Sequence, residues 1–150
     1  MTARFFLDTN VLIYAYDAAN PGKQARAKEV LAALAGMQAA AVSTQVLAEM
    51  FSTLTRTFGS LISPEDAVVQ LFHHVQTWQV IDVSPLVVME AAQAVAHHKL
   101  SFWDAQIWAA AKLNNIPIIL SEDFNTGFAL QGVRFVNPFA SGFRIGRLHA

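Results

Sequence analysis

The sequence contains no cysteine among its 150 residues and has few charged side chains. The absence of cysteine excludes disulfide bonds and thiolate metal sites, so a bound metal would need oxygen ligands or histidine. Charged residues make up 14% of the chain, whereas ~25% is usual for soluble domains. Because the net charge is −1, the chain is not a strongly basic nucleic-acid binder, and any contact with nucleic acid must use a local patch.

Long apolar runs are also absent, since polar side chains interrupt every stretch before the ~18 residues of a membrane span. The first residues lack the basic region and the small-residue cleavage site of a signal peptide. We therefore expect a cytoplasmic protein that does not enter the membrane. The hydrophobic fraction of 54% predicts either a deeply buried core or an apolar face that a partner covers.

The chain alternates short apolar runs with longer segments of helical character. Strands are predicted at residues 4–7, 39–43, 79–83, 116–120 and 133–136. Helices are predicted at residues 9–19, 23–35, 44–58, 64–78, 85–98 and 101–114. This order predicts a single α/β domain over residues 1–138, with a central, mostly parallel sheet of four to five short strands and helices on both faces. Residues 139–150 form a C-terminal tail that we expect to be flexible or to contact a partner.

Two carboxylates follow predicted strands, Asp8 after the first and Asp123 after the fourth. In an open parallel sheet, ligands collect outside the carboxyl ends of the strands, so both acids are expected at one edge of the sheet. An aspartate in a strand-to-helix turn also serves as a helix cap, and this alternative stays open for either acid taken alone.

Two further acids lie on predicted helices. Asp104 falls among Trp103, Ile107 and other apolar side chains, and a buried lone carboxylate is unfavourable unless a partner or a metal compensates. The competing interpretation is a capping box with Ser101 as its first residue. Glu49 lies beside the apolar stripe of its helix, where a surface salt bridge is the alternative to a role in a site.

Converging carboxylates in a chain without cysteine favour a hard dication, Mg²⁺ with Mn²⁺ as a substitute, because these ions take oxygen ligands and retain water. Such an ion favours hydrolysis at phosphorus, since it lowers the pKa of a bound water and neutralises charge on the phosphoryl oxygens. It would also allow an acidic site to accept a phosphate.

Four stretches in order, "FLDTNVLIY", "STQVLAEMF", "LSFWDAQIWAAA" and "ILSEDFNTG", resemble the PIN-domain family, and their arrangement is similar to the VapC-type ribonuclease toxins of bacterial toxin–antitoxin pairs. The resemblance covers residues 4–138. It implies that four acids bind one or two Mg²⁺ or Mn²⁺ ions, namely Asp8, Glu49, Asp104 and Asp123. It also implies that polar neighbours support them, namely Thr9, Asn10, Ser43, Ser101, Glu122 and Asn125.

The resemblance implies that a metal-activated water cleaves RNA and leaves a 5′-phosphate. It further implies a small antitoxin whose C-terminal segment lies across the site, and a homodimer. The chain departs from the family pattern at two places. Ala48 precedes the second acid where many relatives have asparagine, and Glu122 adjoins Asp123, so either could be the fourth acid, with the motif register favouring Asp123.

Two other functions are considered. A phosphatase of the haloacid dehalogenase type also has an aspartate after its first strand. The motif of that family is Asp-x-Asp, with the second aspartate as acid/base, and this chain has Asn10 at that position. A non-catalytic domain that binds RNA or protein would need no intact acid set, so the presence of all four acids argues against it.

Aromatic and histidine residues are interpreted as structural. Phe102 and Trp103 could stack on an RNA base, but core packing is the expected role. The adjacent pair His73 and His74 lies near the predicted end of a helix, where imidazolium is favourable, and is not expected to bind metal.

Overall fold

The computed structural model describes residues 3–124 and 127–149, and the elements named here lie within those ranges. The strands are β1 (Phe5–Leu7), β2 (Ala40–Ser43), β3 (Gln79–Ile81), β4 (Ile118–Leu120), β5 (Ala129–Leu130) and β6 (Val133–Val136). The helices are α1 (Thr9–Tyr14), α2 (Pro21–Met37), α3 (Thr44–Leu54), α4 (Pro64–Thr77), α5 (Pro85–His97) and α6 (Phe102–Leu113), followed by a 3₁₀ helix at Ile145–His149. The predicted α/β class is confirmed.

The described strands form one sheet in the order β3-β2-β1-β4-β6-β5. All neighbouring pairs are parallel except β5 and β6. The chain moves from β1 to β2 and β3 on one side, and then returns to place β4 on the other side of β1. The strand order therefore reverses between β1 and β4, and a crevice is expected outside their carboxyl ends.

The sheet forms the centre of the core, where Phe6, Ile119 and Phe135 on three adjacent strands have no solvent exposure. Helix α6 is buried along most of its length, from Ala105 to Ala111, and packs against α5 and the β4–β6 side of the sheet. Burial of this apolar surface, at about 25 cal/mol per Å², supplies most of the free energy that holds the layers together.

A hydrogen-bonded network joins the segment after α1 to the last turn of α4. Trp78 Nε1–H donates to His74 Nδ1 at 2.8 Å, so the neutral imidazole carries its proton on Nε2. That nitrogen lies 2.8 Å from the Tyr16 hydroxyl, which in turn donates to Gln70 Oε1 at 2.9 Å. Burial and, to a smaller extent, the nearby His73 lower the pKa of His74 to about 4. The expected imidazolium is thus wrong for His74, which is a neutral core residue.

Helix boundaries differ from the predictions at several places. Helix α1 ends at Tyr14 rather than near residue 19, because the Asp17 carboxylate accepts from Ala19 N and Asn20 Nδ2 and favours a turn. Helix α3 ends at Leu54 rather than residue 58. Helix α2 begins at Pro21 and continues through Gly36 to Met37, since one glycine in a helix costs only about 1 kcal/mol.

The sheet has one strand more than the predicted four to five. Strand β5 is only Ala129–Leu130, and its pairing with β6 depends on a two-residue turn in which Gln131 and Gly132 both have positive φ. Turns of this kind match the twist of a hairpin. A strand of two residues carries no readable periodicity, which is why the sequence pattern missed it.

The C-terminal segment packs on the domain. Phe143 and Leu148 are buried, and the Arg4 guanidinium donates to Leu148 O at 2.7 Å. Arg26 donates to Pro138 O and lies over the Phe143 ring. A role of this segment in partner binding stays a prediction. Within the described ranges, no helix is both long and apolar enough to cross a membrane.

Candidate active site

A cleft of about 370 Å³ opens at the carboxyl end of the sheet, where the strand order reverses. The four acids that the sequence singled out, Asp8, Glu49, Asp104 and Asp123, all line it. Thr9, Asn10, Tyr14, Asp17, Gln45, Arg56 and Trp103 are among the other lining residues. The turn after β1, helix α3, helix α6 and the segment after β4 each contribute one of these four acids, so the cleft exists only in the folded chain.

Asp8 is held at the base of the cleft. Its backbone N–H donates to Leu120 O at 3.0 Å, and its carboxylate caps α1 by accepting from Thr9 N at 2.7 Å. The other carboxylate oxygen accepts from Ser121 Oγ at 2.7 Å. Asp8 therefore both caps α1 and lines the cleft, and the two interpretations of the sequence do not exclude each other.

Burial raises the pKa of Asp8 to about 6, although the hydrogen bonds from Ser121 and Thr9 act in the opposite direction. The negative charges of Asp123 and Asp104 raise it further. A buried carboxylate beside two like charges is unfavourable in its ionised form. The electrostatics of the cleft thus favour a positively charged ligand.

Glu122 and Asp123, the two adjacent acids after β4, have different neighbours. Glu122 accepts from Lys23 Nζ at 2.8 Å and from the Tyr14 hydroxyl, whereas Asp123 lines the cleft. Burial, followed by the charge of Asp104, raises the pKa of Asp123, and an interaction with the Asn10 amide lowers it. This geometry favours Asp123 over Glu122 as the fourth acid.

Two serines place the helices that carry the remaining acids. Ser43 is fully buried and caps α3 through Val46 N, while Ser101 caps α6 through Asp104 N. Ser101 is therefore the N-cap of α6, and Asp104 lines the cleft. Each serine accepts a hydrogen bond from the helix backbone, so each acts by orienting its helix.

Asn10 and Thr9 lie next to Asp8. The Asn10 amide is 3.5 Å from the Asp8 carboxylate and 3.4 Å from Ser121 Oγ, and its carbonyl accepts from Glu122 N at 3.3 Å. Thr9 Oγ1 is buried, and within the described part of the chain it has no hydrogen-bond partner. Such an orphaned oxygen needs an explanation, for example an ion or a water in the cleft. Asn125 lies outside the described residues.

Sequence reasoning missed two residues that organise the cleft. Ser121 bridges Asp8 and the Asp123 backbone N–H, and the β1–β4 register aligns Leu7 with Leu120, so Ser121 follows β4 as Asp8 follows β1. Gln45 donates to Glu49 Oε1 at 2.7 Å and accepts from Gln106 Nε2 at 2.8 Å, which connects α3 to α6. The position of Ser121 directly after a predicted strand could have indicated a place at the carboxyl edge of the sheet, whereas nothing in the sequence indicates that Gln45 and Gln106 meet.

The donor set suits an oxygen-binding dication. Among residues 3–124 and 127–149, no three acidic, histidine or cysteine side chains converge as a ready-made metal cluster. The charges of Asp104 and Asp123 nevertheless raise the pKa of Asp8, the charge of Asp104 raises the pKa of Asp123, and Thr9 supplies an unused oxygen. An ion held by a few protein oxygens and several waters is the arrangement that Mg²⁺ commonly adopts.

The model of the PIN domain family matches residues 5–129. Comparison with curated proteins gives no match. Among solved structures, the chain is similar to Mycobacterium tuberculosis VapC20, described as a sarcin-ricin loop cleaving toxin, with 20% identity and a TM-score of 0.62 over 79% of this chain and 89% of that one.

Two toxin–antitoxin complexes share the same fold. DNA-bound VapBC from Salmonella typhimurium has 15% identity and a TM-score of 0.65, over 92% of this chain and 99% of that one. VapBC2 from Rickettsia felis, bound to a promoter DNA fragment, has 17% identity and a TM-score of 0.65, over 89% and 97%. At these identities the similarity to solved structures establishes the fold alone.

Proposed function

The chain belongs to the PIN domain family, and from that membership and the geometry of the cleft we propose that it is a metal-dependent endoribonuclease, the toxin of a type II toxin–antitoxin pair. The observation that carries this proposal is the convergence of Asp8, Glu49, Asp104 and Asp123 on one cleft at the β1–β4 edge. Four acids from four elements, in a chain with only eleven, have no structural need to meet.

Asp8, Asp104 and Asp123 would hold Mg²⁺ or Mn²⁺, with Glu49 at the α3 side of the cleft. When bound, the ion activates a water and neutralises charge on the scissile phosphate. The chain itself keeps Asp8 in place through Ser121 and Thr9 N, so the carboxylate does not have to reorganise during the reaction. Arg56, which also lines the cleft, is placed to contact an RNA phosphate.

The rival phosphatase function receives no support from the cleft. Its acid/base would stand at residue 10, where Asn10 instead offers an amide to Asp8 and Ser121. A domain that only binds RNA or protein would not require four carboxylates to converge on one cleft. Catalysis therefore explains the cleft better than binding alone.

The proposed function is tested with purified full-length protein and total RNA. We expect cleavage with Mg²⁺ or Mn²⁺, new 5′-phosphate ends, and no cleavage in EDTA. Asp104→Asn should lower the rate by about 10²–10⁴-fold. The matched control is Asp82→Asn, which removes an exposed carboxylate that does not line the cleft and should cut at the wild-type rate. Wild-type cleavage by Asp104→Asn would contradict the site.

The partners are part of the same proposal. The similar structures from Salmonella typhimurium and Rickettsia felis are toxin–antitoxin complexes, which supports a small antitoxin as partner. We further propose a homodimer that acts on RNA in the cytoplasm. A small reading frame for a DNA-binding protein should adjoin the gene, and its co-expression should relieve growth arrest caused by this chain. Unrelieved arrest would separate ribonuclease activity from membership in such a pair.

A further inference from the structure

Trp103 is exposed at the edge of the acidic cleft. Its side chain is 62% exposed, although it is one of the largest apolar groups in the chain and lies one residue before Asp104. The prediction that it packs in the core is therefore wrong. The other two tryptophans, Trp78 and Trp108, are 6% and 1% exposed, so Trp103 alone among the tryptophans faces solvent.

The backbone beneath Trp103 is held by several hydrogen bonds. Ser101 caps the first turn of α6, and Gln45 Nε2 donates to Trp103 O at 3.2 Å. Gln45 is itself held by the buried Gln106. Phe102 packs edge-on against the indole, with ring centroids 5.2 Å apart. An exposed ring on a well-anchored turn loses little conformational entropy when a ligand stacks on it.

Trp103 lines two cavities. One is the acidic cleft, and the other has a volume of about 440 Å³. This second cavity is lined by Thr44, Gln45, Ala48, Glu49, Val83, Trp103 and Gln106. Thr44 Oγ1 accepts from Val83 N at 3.1 Å and keeps its own proton to donate to the edge of a planar ligand, and the indole and Val83 offer apolar contact. The second cavity shares Gln45, Glu49 and Trp103 with the cleft.

We propose that Trp103 stacks on a base of the RNA strand beside the scissile phosphate, and that the second cavity is a nucleobase subsite. This inference rests on the proposed ribonuclease function. Single-stranded RNA is recognised by stacking of unpaired bases on aromatic side chains, with hydrogen bonds to the base edges. Because Trp103 and Asp104 both line the cleft, a strand whose phosphate enters the cleft brings a flanking base to the indole.

The first test uses the fluorescence of the protein. An eight-nucleotide single-stranded RNA is titrated in Ca²⁺, with the RNA shown to be intact by gel electrophoresis. Since Trp78 and Trp108 are buried, quenching reports on Trp103. We expect saturable quenching in the wild type and none in Trp103→Phe, while both proteins bind the labelled RNA. Binding of RNA by the wild type without quenching would overturn the stacking proposal.

The second test uses cleavage kinetics. Trp103→Ala should raise KM by about 5- to 150-fold, the range that corresponds to stacking of one base. Trp103→Phe should recover most of the loss. The matched control, Phe72→Ala, removes an aromatic side chain that is 60% exposed on α4 and lines neither cavity, and its KM should equal that of the wild type. Circular dichroism and thermal unfolding verify that all variants fold.

A substrate series identifies the stacked base. Replacing single nucleotides near the cut site by abasic units should raise KM for the wild type at one position, and Trp103→Ala should abolish the sensitivity at that position alone. An equal abasic effect in both proteins would overturn the proposal while leaving the ribonuclease function intact. If Trp103→Ala weakens antitoxin binding but not RNA binding, the cavity serves the protein partner instead. If the wild type cuts no RNA, the proposed function fails, and the fluorescence titration still decides whether Trp103 stacks on bases.

Discussion

The molecule contains two polar regions, one buried and one an open cleft, whose titratable groups have opposite surroundings. In the network of Tyr16, His74 and Trp78, the tyrosine hydroxyl and the indole N–H each donate to an acceptor, and the imidazole is neutral. In the acidic cleft, the charges of Asp104 and Asp123 raise the pKa of Asp8, and Thr9 Oγ1 is unpaired within the described residues. Both regions are partly built from residues in or just after α1.

The difference in hydrogen bonding and charge between the two regions distinguishes polar groups that stabilise the fold from polar groups that are placed to bind a ligand. A satisfied neutral network stabilises the fold and leaves nothing for a ligand to add. A cleft with unbalanced charge lowers the stability of the metal-free protein, and this unfavourable energy is relieved when a cation binds. Three substitutions and the pH dependence of stability test this contrast, and we expect the largest change in activity from the first substitution.

Asp8→Asn should separate activity from stability. We expect the rate of RNA cleavage to fall by about 10²–10⁴-fold, because a metal ligand is lost. In EDTA at pH 8, the free energy of unfolding should rise by about 1–3 kcal/mol, because the raised pKa of Asp8 makes its ionised form unfavourable in the fold. Urea unfolding and single-turnover cleavage measure the two quantities. A variant that is both inactive and destabilised would assign Asp8 to the fold instead.

His74→Ala should have the opposite profile. Removing the imidazole leaves the Trp78 N–H without its acceptor and opens a cavity, so the free energy of unfolding should fall by about 3 kcal/mol. The kcat/KM for RNA should stay within about twofold of the wild type at a temperature where both proteins are folded. Tyr16→Phe is the matched control, because it removes one hydroxyl of the same network and should lose about 1 kcal/mol. A large loss of activity in His74→Ala would refute the separation.

The pH dependence of stability should distinguish the two regions in the metal-free protein. The folded pKa of His74, about 4, lies below its ordinary 6.5, so its stabilisation is complete above pH 6.5 and is lost, by about 3 kcal/mol, as pH falls toward 4. The folded pKa of Asp8, about 6, lies above its ordinary 3.8, so its unfavourable charge is removed over pH 6 to 4.

These two effects oppose each other between pH 6 and 4 in the wild type. Asp8→Asn should therefore lose stability more steeply than the wild type as the pH falls, and His74→Ala should become more stable relative to the wild type. Urea titrations in EDTA at several pH values provide the measurement. Parallel curves for all three proteins would contradict both assigned pKa shifts.

Glu122→Gln should have the smallest effect. It removes the ion pair with Lys23 and weakens the contact with Tyr14, which together hold the residue next to Asp123. Because the pair is partly exposed, we expect a stability loss of at most about 1 kcal/mol. RNA cleavage should fall by less than about tenfold, because Asp123 is misplaced rather than removed.

The matched control for this variant is Glu90→Gln. Glu90 pairs with Lys112 away from the cleft, and its side chain has the same 24% exposure as that of Glu122. It should lose similar stability and no activity. Equal activity in both variants would show that the Lys23 pair does not position Asp123.

Much of the fold was predictable because it depends on local patterns. Helix starts at Ser63, Ser84 and Ser101 carried capping signals that the structure confirms. Helix ends were less predictable, since α1 stops at a turn that the Asp17 side chain stabilises, and no apolar period marks that point. Strand β5 was not predicted because a strand of two residues is too short to show an alternation of apolar and polar side chains.

The candidate site divides in the same way. Sequence alone identified the acids with unusual positions, because Asp8 follows a buried run and Asp104 falls among apolar side chains of its helix. Three features are seen only in the folded chain: Asp123 rather than Glu122 lines the cleft, Ser121 holds Asp8, and the indole of Trp103 is exposed. Local structural preferences depend on neighbouring residues in the sequence. The contact between Ser121 and Asp8 instead joins residues more than a hundred positions apart, and the exposure of a helix side chain depends on which helix face another element covers.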